Sequence, residues 1–233
     1  MLGLALRSVL PPPHLSADTK DAVRMGAGLV GTMAALVLGL LVASAKSSYD
    51  QQRNEMTDMS SKIVVLDRVL SHYGPETKEA RDVLRNAATR VLDQTWSKDN
   101  TGHSRLAPPS AGGEVLYEKL EALSPRDETQ RSLKAQALTI AIAIGQTRWL
   151  MYAQTVEPVS VPMLVVLILW LTTTFVSFGL FAPANLTVAA SYFVSALAVS
   201  SAILLIMDMY SPYVGLLHIS SATLRAAVAQ LGK

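Results

Sequence analysis

Residues 158–207 read PVSVPMLVVLILWLTTTFVSFGLFAPANLTVAASYFVSALAVSSAILLIM, and this stretch decides the fold. Its 50 residues contain no Asp, Glu, Lys or Arg, whereas 16% of the whole chain is charged. A helix of about 20 apolar residues crosses the roughly 30 Å core of a bilayer. The stretch therefore predicts two transmembrane helices, 161–181 and 186–207, joined by a short turn. Because the second of these is rich in Ala and Ser, we expect it to pack tightly against other helices rather than face lipid.

A third apolar segment, 25–45, predicts another crossing that ends at Lys46. Small residues recur in it at every fourth position, and residues four apart share one face of a helix. Such a stripe lets helix backbones approach closely in lipid. We interpret the stripe first as packing within the chain, and alternatively as a subunit contact or a pore wall. Its members are Ala27, Gly31, Ala35, Gly39 and Ala43.

The region between the first and second crossings, 46–160, is polar but has helical periodicity. From Met56 to Leu70 apolar residues recur at steps of three and four, which is typical of a coiled-coil-like helix. We expect the first crossing to continue into this helix and to stop at Gly74-Pro75. Further helices are predicted over 75–96, 114–123 and 125–155, with a loop at 98–113 and with Ser124 as the N-cap of the last helix.

Charge constrains both partners and orientation. Residues 46–159 hold 15 basic and 15 acidic side chains, and this neutral mixture argues against nucleic acid as a partner. Basic residues favour the cytoplasmic side of a membrane, so the middle domain and the C-terminal segment, 208–233, are predicted to be cytosolic. The N-terminal segment, 1–24, begins with ten residues that are too few to cross a membrane. We interpret it as the remnant of a crossing followed by a loop.

Groups that carry catalysis are sparse in this sequence. It has no cysteine, and its four histidines lack the spacing of metal ligands. It also lacks a phosphate-binding glycine loop and a nucleophile elbow, so we expect no cofactor, no metal site and no enzymatic activity. Asp208 is the one acid that directly abuts a crossing. We interpret it as an interfacial anchor, or alternatively as a residue that shapes a pore mouth, caps the following turn or binds a cation.

Several segments together resemble the bacterial bestrophin-like domain proteins. The resemblance rests on 36–50 (LVLGLLVASAKSSYD), 66–75 (LDRVLSHYGP), 93–96 (DQTW) and 207–216 (MDMYSPYVGL), the last followed by Ile219-Ser220. It extends over about residues 14–231, and its closing element includes Asp208, Pro212 and Gly215.

The resemblance implies an all-α integral membrane protein of the bacterial inner membrane. Members of the family resemble two membrane hairpins that flank a cytosolic helical insert, so this chain, with three predicted crossings, departs from the family at its N-terminal end. The link to bestrophins implies a homo-oligomeric ion channel with the 25–45 crossing at the pore and a small inorganic ion as the conducted species. The alternative is a non-conducting membrane scaffold that binds partners through its cytosolic helices. A water-filled gap in an oligomer favours the channel, and a closed bundle with an apolar groove favours the scaffold.

Overall fold

A computed structural model describes residues 11, 16–96, 112–156, 161–183 and 185–233 of the chain. Within these ranges all regular structure is helical, and no strand occurs. A short 3₁₀ helix, Pro75–Thr77, accompanies seven α-helices. In chain order these are α1 (Ala17–Tyr73), α2 (Lys78–Trp96), α3 (Gly112–Glu121), α4 (Glu128–Val156), α5 (Val161–Phe181), α6 (Leu186–Met209) and α7 (Ala222–Gln230). The predicted remnant at 1–10 and most of the predicted loop at 98–113 lie outside the described residues.

Three of the helices, α1, α5 and α6, are long and apolar enough to cross a membrane. The two helices of the predicted hairpin are present: α5 has the predicted bounds, and α6 begins where expected but runs two residues further, to Met209. Asn185 caps the start of α6, because its side chain accepts a hydrogen bond of 2.9 Å from the backbone N–H of Val188. An unsatisfied N–H at the end of a membrane helix is costly, so this cap favours the tight turn.

Helix α1 is continuous over 57 residues, so the apolar crossing does run directly into the polar region, as predicted. It begins at Ala17, eight residues before the predicted start of the crossing. It ends at Tyr73 because Gly74 adopts φ 139°, a backbone conformation that side chains disfavour. The hydroxyl of Thr77 donates 2.6 Å to the carbonyl of Leu70 and so satisfies one of the last carbonyls of the helix.

The chain divides into two compact units. The first, which we call the membrane unit, lies within Met1–Ser47 and Val159–Tyr210. The second, which we call the helical bundle, lies within Ser48–Pro158 and Ser211–Lys233. The C-terminal residues therefore belong with the middle domain, although the two apolar helices α5 and α6 separate them in sequence.

The core of the helical bundle is built on the apolar stripe of α1. Its side chains at Met56, Met59, Ile63, Leu66 and Leu70 are all at most 4% exposed. They pack with buried residues of the other bundle helices: Leu84, Ala88, Leu116, Leu120, Ala137, Met151, Leu224 and Leu231. These side chains therefore form part of the chain's own core rather than an exposed stripe on the bundle surface.

Two local features differ from the sequence-based expectations. The predicted N-cap at Ser124 is wrong, since α4 begins three residues later than expected and Asp127 caps it, accepting a 2.7 Å hydrogen bond from Gln130 N–H. Asp is as good an N-cap as Ser, and only the structure distinguishes the two. Helix α7 was not predicted. Leu224 and Ala227 of this helix, and Leu231 directly after it, are buried in the bundle and hold it in place.

Candidate functional site: membrane-helix surfaces, closing motif and bundle cavity

The small-residue stripe of α1 does not face a single surface. Ala27 is buried and Gly31 is half-buried, whereas Ala35, Gly39 and Ala43 are exposed. A step of four residues advances a straight α-helix by about 40° beyond a full turn, so over sixteen residues the stripe turns to nearly the opposite side. Packing within the chain therefore accounts for the first two members. The last three lie on a surface that the described chain leaves uncovered.

The face of α1 that packs within the membrane unit has a different spacing. Ala27, Ala34 and Leu41 are buried at intervals of seven residues. On α5 the buried positions Leu167, Thr174 and Phe181 also recur every seventh residue. A seven-residue repeat keeps its side chains on one side of a helix, as in coiled coils. A Cβ placed at Gly31 would lie 3.5 Å from Thr174 Cγ2, which locates this contact between α1 and α5.

Most of helix α6 is exposed within the chain, and few side chains in its apolar stretch are buried. The expectation that its small residues pack tightly is therefore wrong for packing inside one chain. A groove of about 610 Å³ runs between α5 and α6, lined mostly by apolar side chains. Tyr192 Oη bridges the two helices by donating 3.2 Å to the carbonyl of Phe178. The most exposed large side chains of α6 are Leu186, Phe193, Val194, Leu197 and Leu204, each at least 60% exposed.

Several hydroxyl groups of the membrane helices are satisfied by their own backbone. Thr172 and Thr173 donate to the carbonyls four residues earlier, at 2.7 and 2.9 Å. Ser195 does the same to the carbonyl of Ser191 at 3.0 Å. Such bonds let a hydroxyl face lipid or a narrow pore without another partner. These side chains therefore do not by themselves require a ligand.

Of the closing-motif residues, Asp208 is half-buried in the last turn of α6. The backbone N–H of Tyr210 caps that helix by donating 3.2 Å to the carbonyl of Ile206. The hydroxyl of Tyr210 donates 3.2 Å to Ser44 Oγ, so the first and third crossings end on the same side of the membrane unit. Among the described residues no group of three or more His, Asp or Glu side chains is placed to hold a metal ion.

The other two closing-motif residues form a tight loop in the bundle. Pro212 is buried, and its carbonyl accepts a 2.7 Å hydrogen bond from Ile219 N–H. Gly215 adopts φ 103°, which explains why a glycine is needed at this position. Trp96 contacts the loop twice, through a 2.9 Å hydrogen bond from Nε1 to the carbonyl of Ile219 and through an edge-to-face ring contact with Tyr213. Two of the resembling segments, 93–96 and 207–220, therefore meet in space.

A second set of contacts joins three segments of the bundle at Asp67. Its carboxylate accepts two hydrogen bonds from Arg81, at 2.8 and 2.9 Å, and a third of 3.1 Å from the backbone N–H of Gly232. Burial by itself raises the pKa of this carboxyl, but the bonds from Arg81 and Gly232 outweigh burial and lower the pKa below its ordinary value. The pair fastens α1, α2 and the C-terminal residues together.

Sequence reasoning missed a buried polar cluster in the bundle. Arg148 on α4 is 8% exposed and Tyr213 is 6% exposed. Burial lowers the pKa of the Arg148 guanidinium and raises the pKa of the Tyr213 hydroxyl. Glu55 lies close enough to affect Tyr213 and accepts 2.9 Å from Gln154 Nε2. No sequence signal links these residues, because they lie on separate segments.

Arg148 also lines a partly open cavity of about 480 Å³ in the bundle. Four helices, α1 to α4, contribute to its walls, which are mainly apolar. The size falls within the range of about 300–1,000 Å³ that is usual for small-molecule sites. The sequence analysis did not identify this cavity, because its lining residues are spread from Met59 to Arg148.

Comparison with known proteins identifies a family. The Bestrophin-like domain family matches residues 1–224. No curated protein matches the chain. No solved structure matches it either. The matched region covers nearly the whole chain, including the membrane unit, the bundle and the closing motif, so this protein belongs to the bestrophin-like domain family.

Proposed function

We propose that this protein is a homo-oligomeric ion channel of the bacterial inner membrane. The observation that carries the proposal is the uncovered surface of the membrane unit. One face of α1 presents Ala35, Gly39 and Ala43, and most of α6 is exposed. Small residues on a membrane helix favour close contact with another helix. A second copy of the chain supplies such helices, and membership of the bestrophin-like family supports a channel-related role.

The proposed pore is lined by small and hydroxyl-bearing side chains. None of the segments 25–45, 161–181 and 186–207 contains a charged residue, so a ring of charges inside the membrane does not select the ion. The exposed stripe on α1 is the proposed wall. We place Asp208 at the cytoplasmic mouth, where an acidic side chain adjoins the end of the third crossing.

The proposed orientation puts the helical bundle in the cytoplasm. Its basic residues support this side. The contact between Ser44 and Tyr210 is consistent with it, because it brings the exits of the first and third crossings together. We further propose that the protein is not an enzyme, because its sequence has no cysteine, no phosphate-binding glycine loop and no nucleophile elbow.

Ion flux from liposomes tests the channel. The full chain is purified, its oligomer mass is measured, and it is reconstituted beside empty liposomes. Flux of a small inorganic ion from the protein liposomes alone supports the proposal. A homogeneous oligomer that conducts neither cations nor anions contradicts it.

The alternative function is a non-conducting scaffold, which one observation favours. The bundle contains an apolar cavity, and an apolar groove in the cytosolic domain is the feature we associate with partner binding. Met59 and Ile63 of the apolar stripe of α1 line this cavity, and both are at most 4% exposed. A cell-extract partner that is lost when cavity residues are changed, together with absent flux, would favour the scaffold.

A further inference from the structure

The cavity of the helical bundle is lined mainly by apolar side chains. Its walls are formed by Met59 and Ile63 from α1, Leu84 and Val91 from α2, and Leu116 from α3. In the bundle core Met59, Ile63 and Leu84 are at most 4% exposed, so the cavity reaches well-buried side chains. An apolar space of about 480 Å³ suits a hydrocarbon chain better than a polar metabolite.

A glycine in the middle of a helix keeps part of this space open. Gly145 lies in the interior of α4, where glycine costs about 1 kcal/mol relative to alanine. A Cβ built at Gly145 meets no atom within 4 Å, so no neighbour demands a glycine there. The residue lines the cavity and is exposed, so a larger side chain has room there at the cavity wall.

A positive charge lies beside the same wall. Arg148 is three residues after Gly145, hence on the same face of α4, and it lines the cavity while being 8% exposed. A buried guanidinium attracts an anion strongly, because water screens the pair poorly there. Glu114 and Glu118 also line the cavity, but both are exposed, so solvent screens their repulsion of an anion.

We propose that the bundle binds a free long-chain fatty acid in this cavity, with the carboxylate at Arg148 and the chain along Met59 and Ile63. A single acyl chain matches the volume, whereas the two chains of a phospholipid do not fit it. This site lies in the bundle and does not depend on conduction. The fatty-acid proposal can therefore fail while the channel proposal holds, and the reverse.

The chain's own segment 97–111 is a poorer occupant. It reads SKDNTGHSRLAPPSA, and Leu106 is its one large apolar side chain. A segment of this composition gains little from entering a hydrocarbon space.

Photolabelling of the full-length protein in nanodiscs tests the proposal. The probe is a palmitate analogue with a diazirine at the end of its chain, and the labelled peptides are identified by mass spectrometry. Dodecanoate is the competitor, and its uncharged methyl ester is the matched control. We expect label on cavity-lining peptides of α1 to α4, competed by dodecanoate and not by the ester.

Two variants test the charge and the space of the site. Arg148→Met removes the guanidinium and should raise the dodecanoate concentration needed for competition by about tenfold or more. Gly145→Leu places a bulky side chain at the cavity wall, where a Cβ meets no atom within 4 Å, and should reduce the label. Gln136→Leu is the control, because Gln136 is exposed and lies nine residues before Gly145, on the opposite face of α4. It adds the same side chain to the same helix outside the cavity, so it should label as the wild type does.

Several results would overturn the proposal. One is equal labelling of the wild type and Gly145→Leu, and another is equal competition by acid and ester. Label that appears only after residues 98–110 are replaced by a Gly-Ser linker would identify that segment as the occupant. Cross-links between two copies at the cavity would identify a second chain instead.

Discussion

Trp96 Nε1 donates a 2.9 Å hydrogen bond to the carbonyl oxygen of Ile219, joining residues 123 positions apart. The indole ring also contacts the Tyr213 ring edge-to-face, with centroids 5.8 Å apart. The bond fastens the end of α2 to the loop that follows the third crossing. This loop directly follows α6 in the chain.

The Trp96 contact yields the first prediction. Trp96→Phe keeps an aromatic ring but leaves the Ile219 carbonyl without its donor, which should lower the free energy of unfolding by about 1–3 kcal/mol. Tyr213→Phe is the matched comparison. Tyr213 Oη is buried and has no hydrogen-bond partner among the described residues, so losing it should be neutral or stabilising. Thermal unfolding of both variants checks this, and a strongly destabilised Tyr213→Phe would contradict it.

The second prediction concerns acid stability through Asp67. Its folded-state pKa is lowered, so the carboxylate stabilises the fold above its unfolded pKa, and this stabilisation is lost as pH falls through the folded pKa. Asp67→Asn should cost about 2–4 kcal/mol at neutral pH, because Arg81 then lies partly buried without its carboxylate. The variant should also lose less stability than the wild type on acidification.

Chemical unfolding from pH 7 down to pH 3 measures both effects. Asp58→Asn is the control, since Asp58 forms an exposed ion pair with Lys62 and such pairs contribute about 0.3–0.5 kcal/mol. If the free energy of unfolding falls equally steeply with decreasing pH in Asp67→Asn and in the wild type, Asp67 is not the titrating group.

The third prediction tests the start of α4. Asp127→Ala removes the side-chain acceptor for Gln130 N–H and should destabilise the bundle by about 1 kcal/mol. Ser124→Ala should change the stability by less than about 0.5 kcal/mol, because Ser124 lies before the helix begins. Unfolding midpoints in detergent compare the two. A larger loss of stability in Ser124→Ala than in Asp127→Ala would show that Ser124 caps the helix instead.

The membrane helices were predictable because their signal is compositional. A run of 50 uncharged residues leaves few alternatives, and the hairpin bounds followed from it. The continuity of α1 was also predictable, since nothing between Lys46 and Gly74 breaks a helix. Helix ends were less certain, because Ser124 and Asp127 are both good caps and only backbone geometry distinguishes them.

The functional surfaces were harder to predict because they depend on three-dimensional relationships. The stripe from Ala27 to Ala43 is regular in sequence, yet it turns around α1 and faces two surfaces. The cavity beside Arg148 draws its walls from four helices and leaves no local pattern. Helix α7 had a detectable signal, because Leu224, Ala227 and Val228 recur at helical spacing, and a search for short amphipathic segments would find it.

The fourth prediction tests the central claim, conduction through an oligomer whose pore wall includes the exposed face of α1. Gly39→Leu adds bulk to that face, where a Cβ meets no atom within 4 Å, so the single chain should fold normally. Gly26→Leu is the matched control, because Gly26 is equally open but points about 140° away around the helix.

The decisive measurement is ion flux from liposomes carrying wild type, Gly39→Leu or Gly26→Leu, with the oligomer mass determined for each. We expect ion flux from the wild type and from Gly26→Leu. We expect no ion flux from Gly39→Leu, although its oligomer remains intact. Undiminished flux in Gly39→Leu, or no flux from a well-folded wild-type oligomer, would contradict it.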